Sequence, residues 1–156
     1  MRTTAAAVLV AAALLAQPRP AHAEFGIGLF VGEPIGLTVK ADLARRSALE
    51  ILIGQTTYDD GRSGYGHVTY LVTPFAARGR SVIIPFRLGI GAAIYDEGEF
   101  GDDVNVAARF PFQLAFRFRA PLELYFEIAM KLTFVDSNDN QDVVDLDGGV
   151  GLRFYF

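Results

Sequence analysis

The feature that most restricts what this chain can become is the strict alternation along Leu122–Phe134. Leu122, Leu124, Phe126, Ile128, Met130, Leu132 and Phe134 alternate there with Glu123, Tyr125, Glu127, Ala129, Lys131 and Thr133. Successive residues of a strand point to opposite faces, so this segment has one wholly apolar face and one polar, charged face. After Glu24 no window keeps a helical spacing of apolar residues for long, and a period of two dominates.

The same period marks eight runs: Phe25–Gly32, Ile35–Leu43, Ala48–Thr56, Tyr65–Thr73, Val82–Tyr95, Val104–Phe116, Leu122–Phe134 and Leu146–Phe156. Turn-formers separate them at Glu33-Pro34, Ala44–Ser47, Tyr58–Gly64, Pro74–Ser81, Asp96–Asp103, Arg117–Pro121 and Asp136–Asp145. The first of these is the least marked, and a bulge at Glu33-Pro34 would reduce the count to seven. An even count, with strands of about 9–11 residues, fits a membrane-spanning barrel better.

Alternation alone does not separate a soluble barrel from a membrane one; the residues on each face do. With the apolar parity of each run set outward, no outward position carries a charge. Inward positions hold Lys40, Asp42, Glu50, His67, Arg87, Arg109, Glu123, Glu127, Lys131, Asp147 and Arg153. A soluble barrel has the reverse arrangement. In hydrocarbon every backbone donor and acceptor must pair within the protein, and a closed barrel achieves this without an edge. The sequence therefore predicts an all-β fold, an eight-stranded antiparallel up-and-down transmembrane β-barrel over residues 24–156. Phe25, Phe75, Phe86, Tyr95, Phe100, Phe116, Phe134, Phe154 and Phe156 fall near predicted strand ends, where interfacial girdles belong.

Residues 1–23 read as a cleaved signal peptide. Arg2 supplies a positive start, Ala5–Ala16 is an apolar run too short to span a bilayer, and Ala21-His22-Ala23 is a small-x-small cleavage pattern. The expected route is export to the bacterial outer membrane. The chain has no cysteine, which rules out a disulfide framework and a lipidated N-terminal cysteine. Beyond Ala23 the lysines and arginines number 14 − 2 = 12 against 18 acids, a net charge of −6. With no basic stripe to neutralise phosphates, nucleic acid is not an expected partner.

The inward charges balance: Lys40, Arg87, Arg109, Lys131 and Arg153 against Asp42, Glu50, Glu123, Glu127 and Asp147. An eight-stranded barrel is only wide enough for its own side chains, and buried charges are costly unless paired. A neutral set predicts a salt-bridged, closed lumen. Inward Gly26, Gly28, Gly89, Gly91, Gly149 and Gly151 are expected to leave room for arginines to cross it. A narrow or gated passive channel remains the alternative, for which an excess of one sign is the more natural signature.

The other charges sort by connection. Glu33, Asp59, Asp60, Arg62, Asp96, Glu97, Glu99, Asp102, Asp103, Asp136, Asp139, Asp142 and Asp145 belong to one end. Arg45, Arg46, Arg78, Arg80, Arg117 and Arg119 belong to the other, beside Glu24. Barrel turns are short at the periplasmic end, so the acidic set is expected outside. Asp136, Asn138, Asn140 and Asp142 alternate like the start of a calcium loop, but Gln141 replaces the turn glycine and Asp147 stands where a bidentate Glu is needed. No dedicated metal site or cofactor is expected. His67, with Ser63, Tyr65 and Asp59 or Asp60 nearby, would permit a Ser/His/Asp grouping, yet no nucleophile motif frames it. An inward His held by carboxylates is the simpler reading, and a lipid-acting enzyme is the second alternative.

Gly26-Ile-Gly, Gly32-Glu-Pro-Ile-Gly-Leu-Thr-Val-Lys40, Pro121-Leu-Glu-Leu-Tyr-Phe-Glu127 and Asp147-Gly-Gly-Val-Gly-Leu-Arg-Phe-Tyr-Phe156 are the most distinctive stretches. Through them the chain resembles an uncharacterised family of small OmpA-like eight-stranded outer-membrane barrels first described in Borrelia. The resemblance spans nearly all of residues 24–156 and brings no catalytic residues with it. The last strand, with Val150, Leu152, Phe154 and Phe156 alternating, also resembles the outer-membrane assembly signal. That implies insertion by the barrel-assembly machinery. Together these readings predict a structural or surface-interaction barrel whose partners are outer-membrane lipid and the assembly machinery. An external ligand is not legible in the sequence.

Overall fold

The structure, a computed structural model, describes residues 24–56, 63–96, 104–135 and 144–156. They form β1 (Phe25–Glu33), β2 (Ile35–Ala44), β3 (Ser47–Thr56), β4 (Ser63–Arg78), β5 (Val82–Asp96), β6 (Val104–Phe118), β7 (Leu122–Val135) and β8 (Val144–Tyr155). Each strand pairs antiparallel with its sequence neighbours, and β1 pairs with β8 to close the barrel. Closure leaves the long central ladders without an edge, which an isolated sheet with this apolar exterior could not avoid. Pro34 alone separates β1 from β2. A proline has no N–H to give a ladder, so the chain turns there and the strand count is eight.

One strand departs from its sequence reading. Pro74 signals a turn over Pro74–Ser81, yet β4 continues past Thr73 to Arg78. The register with β5 shifts between Val72 and Phe75, which seats Pro74 in a bulge where a missing N–H is tolerated. Past the bulge Phe75 stacks on Phe86 with ring centroids 4.9 Å apart. The hairpin closes where the Gly79 N–H donates to the Val82 carbonyl at 2.8 Å.

The two faces differ as the alternation predicts. On β7, Ile128 is 63% exposed while its neighbour Ala129 is fully buried. Phe25, Phe75, Phe134, Phe154 and Phe156 are exposed at strand ends, and Phe86 and Phe116 are half-buried there. Tyr95 is a correction: it is buried, and its hydroxyl shares a 2.9 Å hydrogen bond with Thr133. Parity decides its side, because its neighbour Ile94 faces outward. Phe100 lies outside the described residues.

Two of the inward glycines, Gly26 and Gly151, make room for aromatic rings rather than arginines, whereas a Cβ on Gly28, Gly89 or Gly91 would meet neighbouring backbone or the side chains of Thr69, Leu71 and Pro111. A Cβ on Gly151 would stand 2.0 Å from the Tyr125 ring, and one on Gly26 would stand 2.9 Å from the Tyr155 ring. The arginines then lie on those rings: the Arg153 guanidinium carbon sits 3.7 Å from the Tyr125 centroid and that of Arg117 sits 3.8 Å from the Tyr155 centroid. Planar guanidinium on a ring face gains both dispersion and cation–π attraction.

Candidate functional site: the lumen charge network

Inward parity places the ten charges on six of the strands, with His67 on a seventh, and the barrel's narrow bore brings them together. At the end where Phe25 meets Phe156, Lys40 pairs with Asp42 on β2, and Arg117 on β6 pairs with Glu24. Arg117 also faces Asp42 at 3.7 Å. This corrects the assignment of Arg117 to the rim: it has the parity of Gln113 and Ala115, so it turns into the lumen mouth.

The middle layer is centred on two carboxylates. Glu123 on β7 accepts both guanidinium N–H groups of Arg87, at 2.9 and 2.6 Å, the bidentate geometry that makes such pairs strong. It also accepts from Arg153 at 3.3 Å and from the Tyr155 hydroxyl at 3.0 Å. Glu50 on β3 accepts from Arg153 at 2.5 Å and from the Gln113 amide at 2.9 Å. Arg153 therefore bridges the two acids, and it donates to Thr38 at 3.2 Å as well.

Toward the other end, Glu127 accepts from Arg109 and, at 2.5 Å, from Gln113. His67 Nδ1 lies 3.3 Å from the Tyr65 hydroxyl, and Nε2 faces Glu50 at 3.8 Å. Tyr65 donates to Asp147 at 3.3 Å, and Lys131 meets Asp147 at 2.9 Å and Asp145 at 3.1 Å. The contacts thus run from Arg117, through Tyr155, Glu123 and Arg153, to Glu50, which His67 approaches at 3.8 Å, and from His67 through Tyr65 to Asp147 and Lys131.

Register explains some of these partners and not others. Glu123 and Arg153 are directly opposite on β7 and β8. Arg109 and Lys131 are also directly opposite, on β6 and β7. Like charges in that position repel, and here each turns to its own carboxylate, Arg109 to Glu127 and Lys131 to Asp147. Glu127 is therefore not the partner of Lys131.

Every sequence-predicted lumen residue, Lys40, Asp42, Glu50, Arg87, Arg109, Glu123, Glu127, Lys131, Asp147 and Arg153, takes part in at least one ion pair. Gln113, Tyr65, Tyr125, Tyr155 and Thr38 join them without a charge to mark them in the sequence. Their inward parity was the available signal. Val150, Leu152, Phe154 and Phe156 all face outward, and the Phe156 N–H donates to the Phe25 carbonyl at 2.9 Å across the β1–β8 seam. His67 is held between a phenol and a carboxylate; Asp59 and Asp60 lie outside the described residues. Among the described residues no cluster of three His, Asp or Glu could hold a metal ion, and Asp136, Asn138, Asn140 and Asp142 lie outside them.

No protein-family model matches the chain, and no curated protein matches it. Among solved structures it is similar to the N-terminal β-barrel domain of Pseudomonas aeruginosa OprF, with a TM-score of 0.59 and 12% identity over 86% of this chain and 96% of that one. It is also similar to a major outer membrane protein from Thermus thermophilus, with a TM-score of 0.52 and 14% identity over 86% of this chain and 99% of that one. At such identities the likeness speaks for the fold: the chain is a closed, all-antiparallel, eight-stranded β-barrel of the architecture those two proteins share.

Proposed function

We propose that this protein is an integral outer-membrane barrel whose lumen is closed by its own charge network and whose role is structural or surface-interacting. The observation that carries the reading is the reversed polarity of the barrel, with its charges paired inside and an apolar belt outside. Burying so many ionised groups is unfavourable against an apolar filling unless the exterior needs the apolar side chains more. Lipid is the solvent that sets that requirement. The likeness to a major outer membrane protein from Thermus thermophilus supports the same location.

Several finer points belong to this proposal. Residues 1–23 act as a cleaved export signal, and residues 146–156 as the strand read by the barrel-assembly machinery. The acidic connections opposite the termini face outward, and the Arg-rich connections face the periplasm. Membership of the small barrel family first described in Borrelia rests on the Gly32–Lys40 and Asp147–Phe156 stretches. The role is non-catalytic: His67 is buried in the network, and Glu50 and Tyr65 occupy its two ring nitrogens' surroundings. Fractionation of expressing cells tests the core of it. Mature protein beginning at Glu24 should appear in the outer membrane, and recovery in a soluble compartment would remove the reading.

A further inference from the structure

β4 outruns the strand on one of its sides. β3 covers it as far as Val72, which lies opposite Ser47, and the Thr73 N–H still reaches the Arg46 carbonyl at 2.8 Å. Beyond Thr73 its pairing is with β5, at Phe75–Phe86, Ala76–Pro85, Ala77–Ile84 and Arg78–Ile83. The side toward β3 is open there, and Pro74 to Ser81 are all exposed.

The hairpin geometry says which backbone groups face the opening. The Gly79 N–H donates to the Val82 carbonyl, so these two residues form a hydrogen-bonded pair. Such pairs alternate along an antiparallel ladder. Ala77 and Phe75 therefore direct their backbone groups to β5, while Ala76 and Arg78 direct theirs away from it. A short row of strand donors and acceptors is left facing outward, the template on which an extended peptide adds as a further strand.

The charges around this edge have one sign. Arg78 and Arg80 belong to the hairpin, Arg45 and Arg46 to the β2–β3 turn on the opposite flank, and all four are exposed. Neither Ala44–Ser47 nor Pro74–Ser81 contains an acid. Two described carboxylates at this end of the barrel, Glu24 and Asp42, are engaged with Arg117 and Lys40. A second copy of this chain would bring arginine against arginine, which repels.

Depth separates the edge from lipid phosphate. Phe75 and Phe86 stack at the girdle, and Arg78 lies three residues further on, about 10 Å along the strand. At a strand tilt of about 40° that is roughly 8 Å along the axis, past a headgroup layer of about 5–7 Å. This step rests on the membrane reading above; the open edge does not.

We propose that the free edge of β4 at Ala76–Arg78 docks an extended acidic peptide segment of a partner protein, added as a strand with its carboxylates toward Arg78, Arg80, Arg45 and Arg46. The test uses the full-length barrel in nanodiscs and a labelled Val-Glu repeat peptide, read by fluorescence anisotropy. The peptide should bind, and a Val-Lys repeat should not. Ala76→Pro deletes one edge N–H while sparing the β5 ladder, and it should raise Kd by about tenfold or more. Arg78→Gln with Arg80→Gln should weaken binding similarly, and backbone N-methylation of the peptide should abolish it. The methylated peptide decides the matter if Ala76→Pro fails to fold. No binding, or binding that ignores both Ala76→Pro and N-methylation, overturns the proposal. A dimer lost on Ala76→Pro would give the edge to a second copy, and displacement of the peptide by phosphatidylglycerol would give the arginines to lipid. Neither result depends on whether the lumen conducts.

Discussion

Arg153→Met is the sharpest probe of the lumen. Arg153 has no exposed surface; it sits 2.5 Å from Glu50 and 3.3 Å from Glu123, and its guanidinium covers the Tyr125 ring. Methionine replaces the stem with an apolar chain of broadly similar volume but leaves no guanidinium on that ring, so the change removes the charge together with its contact to Tyr125. The two acids fare differently. Glu123 keeps its bidentate Arg87 and the Tyr155 hydroxyl. Glu50 keeps the Gln113 amide at 2.9 Å and His67 at 3.8 Å, neither of which replaces a guanidinium. Stranding one half of a buried pair typically costs about 3–5 kcal/mol, and that loss should be traceable to Glu50. Glu50→Gln in the same chain should then restore more than half of it. Glu123→Gln should not, because it strands Arg87 in turn. Urea unfolding in detergent, followed by the gel shift between folded and unfolded barrel, measures all of these. A loss below about 1 kcal/mol for Arg153→Met, or a double mutant equal to the sum of its singles, would refute the coupling.

Other perturbations test register and packing. Ile128→Arg turns a charge toward lipid and should cost about 2–4 kcal/mol near the midplane, whereas Ala129→Ser on the buried face should cost under about 1 kcal/mol; equal tolerance in a folding assay would show the faces misassigned. Gly151→Ala drives a methyl into the Tyr125 ring and should destabilise by about 1–3 kcal/mol, with partial relief from Tyr125→Leu; an unchanged midpoint would mean the ring does not occupy that space. Lys131→Met should be relieved by Asp147→Asn rather than by Glu127→Gln, in the same unfolding assay. Deleting Phe156 removes the N–H that closes the seam onto Phe25 and should lower membrane levels more than Glu24→Gln does, as quantified by immunoblot of the membrane fraction.

Much of the fold is legible because period two and charge segregation are properties of single strands. Leu122–Phe134 shows both faces without reference to any neighbour, and β7 is observed as Leu122–Val135. What depends on a second strand is hidden. Pro74 reads as a breaker until the bulge opposite Arg87 is known, which is why β4 reads shorter than it is. Tyr95 reads as a girdle residue from its place at a strand end, although its parity already points inward. The candidate site divides the same way. The ten inward charges follow from parity, but their pairing does not, since Lys40 stands opposite Glu50 and yet bonds Asp42. Gln113 carries no charge to mark it, and only the structure shows its amide joining Glu50 to Glu127. The aromatic filling over Gly26 and Gly151 is likewise a product of register between strands.

The central claim is that paired side chains close the lumen. The most direct measurement is the current through the purified, refolded protein in a planar lipid bilayer. The account predicts a silent membrane under applied voltage, with the network contacts from Arg117 to Lys131 intact. A large, steady single-channel conductance in the unmutated protein, reproducible across insertions, would contradict it and replace the plug with a pore.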